Sequence, residues 1–339
     1  MIKIDGLNVR VRAWLGAILL TLTAGGASAQ TPSWKIGTVV APPSMLGIIV
    51  DEAAASVAKA TGGRIKAERY QNPNEQELTQ NIIRGRIEMG YISTTGMAVA
   101  VPEAGVLNMP YLWRTEAERD YVSDKFVAPL MAKILDAKGL VLVKYGEAGW
   151  SNLFCKTACT TPDKMKGMKF RTSPTAGAKV FAERLGANGV GMTLADFYPA
   201  LEQGVVAAGD LTFSFYLIGP AAQSAPHYVF TKHNHQPALF VAHKATWEKV
   251  PVEDRAAIIA ALPNAADTRQ RVAADEEPKK AAHKAKGGFI HELSDEQRVE
   301  WARLIEPGLP ALAENYGGRA KELYDLILAG KKEFASAKR

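Results

Sequence analysis

The run "MKGMKFRTSPTA" at residues 165–176 interleaves basic side chains with apolar ones. In a strand with one buried face, successive side chains alternate between core and solvent. Arg171 is nevertheless expected on the apolar side, with Met165, Met168 and Phe170 close around it in sequence. A buried cation is costly unless an anion meets it. The anion is either an acid of the chain, with Asp210 in "VVAAGDLTF" as the candidate, or an acid brought in from outside. A guanidinium suits the second role, because its planar fork of donors fits a carboxylate with two parallel bonds. Arg171 and Asp210 are therefore the first candidate ligand-binding residues. Trp150, Phe213, Phe215 and Tyr216 are expected near strand ends beside them, and an apolar lining with a few placed polar groups is the usual make-up of a ligand cleft. Ser151 and Asn152 of "GWSN", together with Gln236, complete this side of the candidate site.

Signatures of catalysis are sparse. The chain has no G-x-S-x-G, no G-x-x-x-x-G-K-[ST] and no H-E-x-x-H, the motifs that would place a nucleophile, a phosphate cradle or a zinc pair. The glycines of "GANGVG" at 186–191 are in the wrong order for a dinucleotide fingerprint and read as a loop. His233 and His235 lie two apart, as metal ligands on a strand would, but "YVFTKHNHQP" offers no carboxylate or thiolate beside them. The reading is hydrogen-bonding side chains on a strand, with no metal and no cofactor. Cys155 and Cys159, the only cysteines, are separated by what reads as a turn, "CKTACTTPDK". A turn brings two Cα atoms within the roughly 7 Å that a disulfide requires, so a bridge is expected.

The elements that position these residues follow from periodicity. "SWKIGTVV" reads as a strand, "LGIIVDEAAASVAKATG" as a helix stopped by Gly62 and Gly63, "RIKAERY" as a strand, "NEQELTQNIIRG" as a helix and "IEMGYIST" as a strand. This β-α-β-α-β order implies parallel strands covered by helices. It sets Tyr91, Ser93, Thr94 and Thr95 at the carboxyl end of a strand, where open α/β sheets hold their ligands. The order repeats: "GLVLVKYGE" and "MKFRTS" are strands, "TAGAKVFAERLG" a helix, "VGMT" a short strand and "LADFYPALEQG" a helix. "HQPALFVAHKATW" then returns as a strand able to cross back to the first sheet. Beyond Pro251 the chain is charged and mainly helical, with Pro263 and Pro278 as interruptions.

Bulk properties narrow the function further. Lys3, Arg10 and Arg12, the apolar "AWLGAILLTLTAGG" and the small residues "ASA" before Gln30 have the form of a secretory signal peptide over residues 1–29. The apolar run falls short of the about 20 residues a membrane span needs. An exported protein of the bacterial periplasm is expected. Of the net charge of +6, the leader carries +2, which leaves +4 on a chain of two-domain length. The basic residues are interspersed with acids, and no basic stripe carries the stacking aromatics that nucleic-acid binding requires.

Six segments, "ATGGRIKAERY", "IIRGRIEMGYIS", "VPEAGVLNMPYL", "TPDKMKGMKFRT", "RLGANGVGMTLADFYPALEQGVV" and "ALFVAHKATWEKVP", occur in the order and spacing of the substrate-binding proteins of tripartite ATP-independent periplasmic (TRAP) transporters. The resemblance runs from about Trp34 to at least Pro251. It implies an α/β, two-lobed periplasmic-binding-protein fold, each lobe a mixed, mainly parallel sheet flanked by helices, the two joined by crossing strands and a long helix. Lobe 1 would comprise residues 30–148 with 237–276, and lobe 2 residues 149–236 with 277–339. It further implies capture of a small carboxylate by cleft closure and delivery to a TRAP-type membrane permease, with Arg171 at the position that holds the ligand carboxylate. A ligand-binding protein of a sensory system and an enzyme reusing the fold are the alternatives. The chain departs from the pattern where relatives carry a second arginine and this one has Ser151, where Asp210 replaces a glutamate, and where "NPNEQELTQ" lacks a Leu-Gly pair.

Overall fold

A computed structural model of the chain describes residues 32–337; the expected leader lies outside them. The strands are β1 (Ser33–Thr38), β2 (Lys66–Gln71), β3 (Met89–Ser93), β4 (Leu140–Cys155), β5 (Lys169–Thr172), β6 (Asn188–Gly191), β7 (Ala208–Thr212), β8 (His227–His243) and β9 (Phe289–Glu292). They form one nine-stranded sheet in the order β2-β1-β3-β8-β4-β7-β5-β6, with β9 paired to β8. The two expected sheets are thus continuous, because β4 and β8 belong to both. Residues 140–149 of β4 run against residues 236–243 of β8, whose other edge carries β3; residues 151–155 of β4 instead carry β7. The β1/β2, β1/β3, β5/β6 and β5/β7 pairs are parallel, and the long β4–β8 ribbon is antiparallel with three register shifts along it.

Local sequence accounts for the helices. In Met45–Ala60 the buried residues Leu46, Ile49, Val50, Ala53, Ala54 and Val57 recur at three- and four-residue spacing, which makes one apolar stripe against the sheet. The chain leaves this helix through Gly62 at φ 57°, a left-handed C-cap that glycine adopts without steric cost. Asn264 and Asp267 form a capping box at the start of the 21-residue helix Ala265–Ala285, which packs along β4.

Three expectations change. Pro278 does not interrupt this long helix. Anchors on both sides of the proline hold it together: Val272 is buried before it, and after it Lys280 reaches Glu292 while His283 Nε2 bonds the Pro226 carbonyl. Residues 188–191 of "GANGVG" are not a loop but the edge strand β6, since pairing to β5 uses the backbone and needs no buried side chain. In β5 the expected alternation is lost, and Phe170, Arg171 and Thr172 are all buried. A strand between two parallel neighbours and under helices has no solvent face.

Candidate functional site

A cleft of about 200 Å³ opens at the carboxyl ends of β1, β3 and β5. One wall is built by the helix Glu75–Ile83. Asn74 caps it by accepting the Glu77 N–H, and Glu75 follows as its first residue beside the end of β3. The Glu75 carboxyl accepts the Ser93 N–H at 2.7 Å and the Ser93 hydroxyl at 2.8 Å. Gly96 makes room for it, since a Cβ at that position would lie 2.1 Å from Glu75 Cγ. Burial pushes the Glu75 pKa up to about 7, against the two bonds from Ser93. Desolvation wins because neither partner is charged.

The opposite wall carries Arg171, only 4% exposed. Its Nη1 donates to the Asp210 carbonyl at 3.2 Å and stands 3.7 Å from Asp210 Oδ1. The guanidinium lies over the Phe197 ring at 5.5 Å, while its Nε has no hydrogen-bond partner among the described residues. Burial draws the Arg171 pKa below its ordinary value, opposed by Asp210. Behind it, Asp210 Oδ2 is 3.6 Å from His233 Nε2, and His233 is fixed by Thr231 at 2.7 Å and by stacking on Phe181. Val39, Leu194 and Phe215 supply apolar surface between the walls. Such a cavity can hold one small anion by bidentate bonds, with hydrogen-bonding groups across from it.

The family is decided by the chain as a whole. Residues 36–315 match the family described as bacterial extracellular solute-binding protein, family 7. The chain belongs to this family. A solute-binding protein of Verminephrobacter eiseniae is 29% identical to this family member over 85% of the chain and 87% of its own length. The C4-dicarboxylate-binding periplasmic protein DctP of Rhodobacter capsulatus is 24% identical over 90% and 94%. Two solved structures share the fold, both at a TM-score of 0.80. The sugar acid binding protein of Advenella mimigardefordensis in complex with galactonate is 24% identical and covers 88% of this chain and 99% of its own. The TRAP periplasmic solute binding protein of Roseobacter denitrificans with bound β-D-glucuronate is 21% identical and covers 87% and 98%. The TRAP-type assignment and the mixed α/β fold thus agree with the reading of the sequence.

Within this solute-binding protein, the expected contacts divide. Arg171 lines the cleft, as do Thr95 and Phe215 from the short helices that follow β3 and β7. Asp210 backs Arg171, and Ser93 holds Glu75. Thr94 is buried and its hydroxyl faces the Pro237 carbonyl. Tyr91 is enclosed, exchanging hydrogen bonds with the Glu147 backbone and stacking on Phe240. Ser151 receives a bond from Gln236 across the β4–β8 ribbon. Asn152 accepts the N–H of Lys232, a non-glycine residue at φ 44°. Trp150 and Asn152 border a different cavity, next to the long helix, with Arg119 and Glu276. Phe213 is fully buried among Tyr216, Tyr228 and Phe230, because the helix Phe213–Ile218 turns it into that core. His233 and His235 go to different acids, Asp210 and Glu147. Cys155 and Cys159 are bridged, with Cα atoms 6.3 Å apart. Sequence reasoning missed Glu75, whose only local signal is an acid at a helix start.

Proposed function

We propose that the chain is exported to the periplasm and captures a small organic acid in this cleft, with Arg171 as the carboxylate clamp and Asp210 orienting the guanidinium. The ligand is then passed to the membrane subunits of a TRAP-type permease, without chemical change and without a cofactor. Residues 30–148 with 237–276 form one closing lobe and residues 149–236 with 277–339 the other, bending along the β4–β8 ribbon, with one exception. The last helix, Ala320–Ala337, packs on Pro102–Asn108, Glu116–Val122 and Ser123–Val127, so it moves with the first lobe. The observation that carries this reading is the nearly inaccessible Arg171 with an unpartnered Nε at the cleft wall. Support comes from the relatives, whose names state a C4-dicarboxylate, galactonate and glucuronate, all carboxylates.

Arg171 is the one lysine or arginine among the described cleft-lining residues. A second buried carboxylate would lack a cation, so a monocarboxylate with an apolar or aromatic body is the favoured ligand. A thermal-shift screen with phenylacetate, galactonate and succinate tests the reading, each beside its amide. A ligand at about 100 times its dissociation constant adds roughly 2.7 kcal/mol to native stability. Stabilisation by phenylacetate but not phenylacetamide is expected; a larger shift with succinate would refute the monocarboxylate preference, and no shift with any acid would refute the site.

A further inference from the structure

We propose that binding of a carboxylate in this cleft is coupled to protonation of Glu75, which then faces the anion as a neutral hydrogen-bond donor, so that affinity rises on acidification. This rests on the reading that a carboxylate occupies the cleft.

Charge balance at the site comes first. The lining carries one cation, Arg171, and one acid, Glu75, with Asp210 behind the arginine. The groups packed around Glu75 are uncharged on nearly every side. Its own helix contributes Gln76 and the exposed Glu77; the end of β3 and the turn after it contribute Ser93, Thr95 and Gly96; β1 contributes Val39; and the far wall contributes Arg171 and Ser173. No histidine lines the cleft among the described residues. With Asp210 counted beside Arg171, the site already carries one negative charge when Glu75 is ionised, and an entering anion raises the excess to two. Two carboxylates in one desolvated site cannot both stay ionised, and one takes up a proton.

Geometry selects which. The ligand can accept charge-assisted bonds from Arg171, whereas Glu75 is held by Ser93 alone, so the proton goes to Glu75. Its protonation breaks neither existing bond: one oxygen continues to accept the Ser93 N–H, and the other accepts the Ser93 hydroxyl through one lone pair while its own hydrogen turns to the ligand. The ligand-free site is already poised for this, since burial holds the group near neutrality.

The test is calorimetric titration of the full chain with whichever of phenylacetate, galactonate and succinate gives an isotherm. At pH 7.5, in buffers of different ionisation enthalpy, the observed heat should depend on the buffer and report net proton uptake. Affinity should fall with rising pH, approaching about tenfold per pH unit above pH 7. In Glu75→Gln both the buffer dependence and the pH slope should vanish. If a ligand binds with buffer-independent heat and flat affinity from pH 6 to 8.5, the coupling is refuted while the site stands; equal proton uptake in Glu75→Gln refutes it as well. If none of the three binds, the site reading fails and the coupling fails with it. The wild-type data decide the matter even if the variant does not fold.

Discussion

Glu75, half-buried at the cleft wall, and Glu147, enclosed at the crossing of β4 and β8, are both carboxylates withdrawn from water, yet their surroundings drive them in opposite directions. Burial raises both. At Glu147 it is outweighed: Oε2 meets His235 Nε2 at 2.7 Å and lies 3.6 Å from Arg119 Nη1, and Oε1 accepts the Gly149 N–H at 2.7 Å. Its carboxyl is held below the usual range. Arg119 is itself buried, paired with Asp120 and stacked over Trp150. Nothing comparable reaches Glu75. The acid at the crossing is surrounded by a cation, a histidine and a backbone N–H, whereas in the cleft Arg171 Nε has no partner among the described residues and Glu75 has no charged one. The missing partner is what a ligand can supply.

The difference has a sign in pH. Glu147 has a lowered pKa, so its stabilisation is present above its unfolded value near 4.5 and is lost as pH falls through the folded value. Burial also lowers His235, ahead of the attraction of Glu147; its contribution is present above about 6.5 and fades as pH falls. Glu75 runs the other way. Its protonated form favours the native state below about 4.5, and that advantage is lost as pH rises to about 7.

The largest expected effect comes from Glu147→Ala, which takes the acid from buried His235 and leaves buried Arg119 with Asp120 alone. Breaking a buried pair costs about 3–5 kcal/mol, read by urea unfolding at pH 7. A loss below about 1 kcal/mol would remove the contrast between the two regions. Next, Glu75→Gln should stabilise the ligand-free protein at pH 8 by roughly 2–3 kcal/mol, since each tenfold change in proton affinity on folding is worth about 1.4 kcal/mol. It should leave stability unchanged near pH 4.5. Equal curves at both pH values would place Glu75 with the ordinary surface acids. Smallest is the Cys155–Cys159 bridge at the end of β4. Its closed loop is short, so Cys155→Ser with Cys159→Ser should cost about 2 kcal/mol by loop-closure entropy. Ligand affinity and its pH slope should stay as they were. A change in affinity would mean that the far end of β4 is tied to the cleft after all.

What the sequence discloses depends on whether the cause is local. The stripe of Met45–Ala60 and the rhythm of the first three strands are legible, because one-sided burial writes itself into spacing. Arg171 stands out for its chemistry within an apolar run. Glu75 does not: an acid in the first turn of a helix is ordinary dipole compensation, and only the tertiary approach of Ser93 and Gly96 turns it into a desolvated group. Arg119 in "EAERDYV" likewise reads as solvated charge until Trp150 covers it. Phe213 misleads in the reverse direction. Its place at a strand end suggests a cleft, but the helix it begins packs it into a second apolar cluster with Tyr216 and Tyr228.

Whether Arg171 is the clamp is tested most directly by paired titration calorimetry of wild type and Arg171→Ala with the screened acid. Urea unfolding of both ligand-free proteins is the companion measurement. Loss of the guanidinium leaves a bound carboxylate without its partner, so affinity should fall by about 2–5 kcal/mol, with a smaller change in ligand-free stability. Arg171→Lys should recover only part, having the charge without the fork. Near-normal affinity in Arg171→Ala, together with ready unfolding of the ligand-free variant, would contradict the clamp and make Arg171 a structural partner of Asp210.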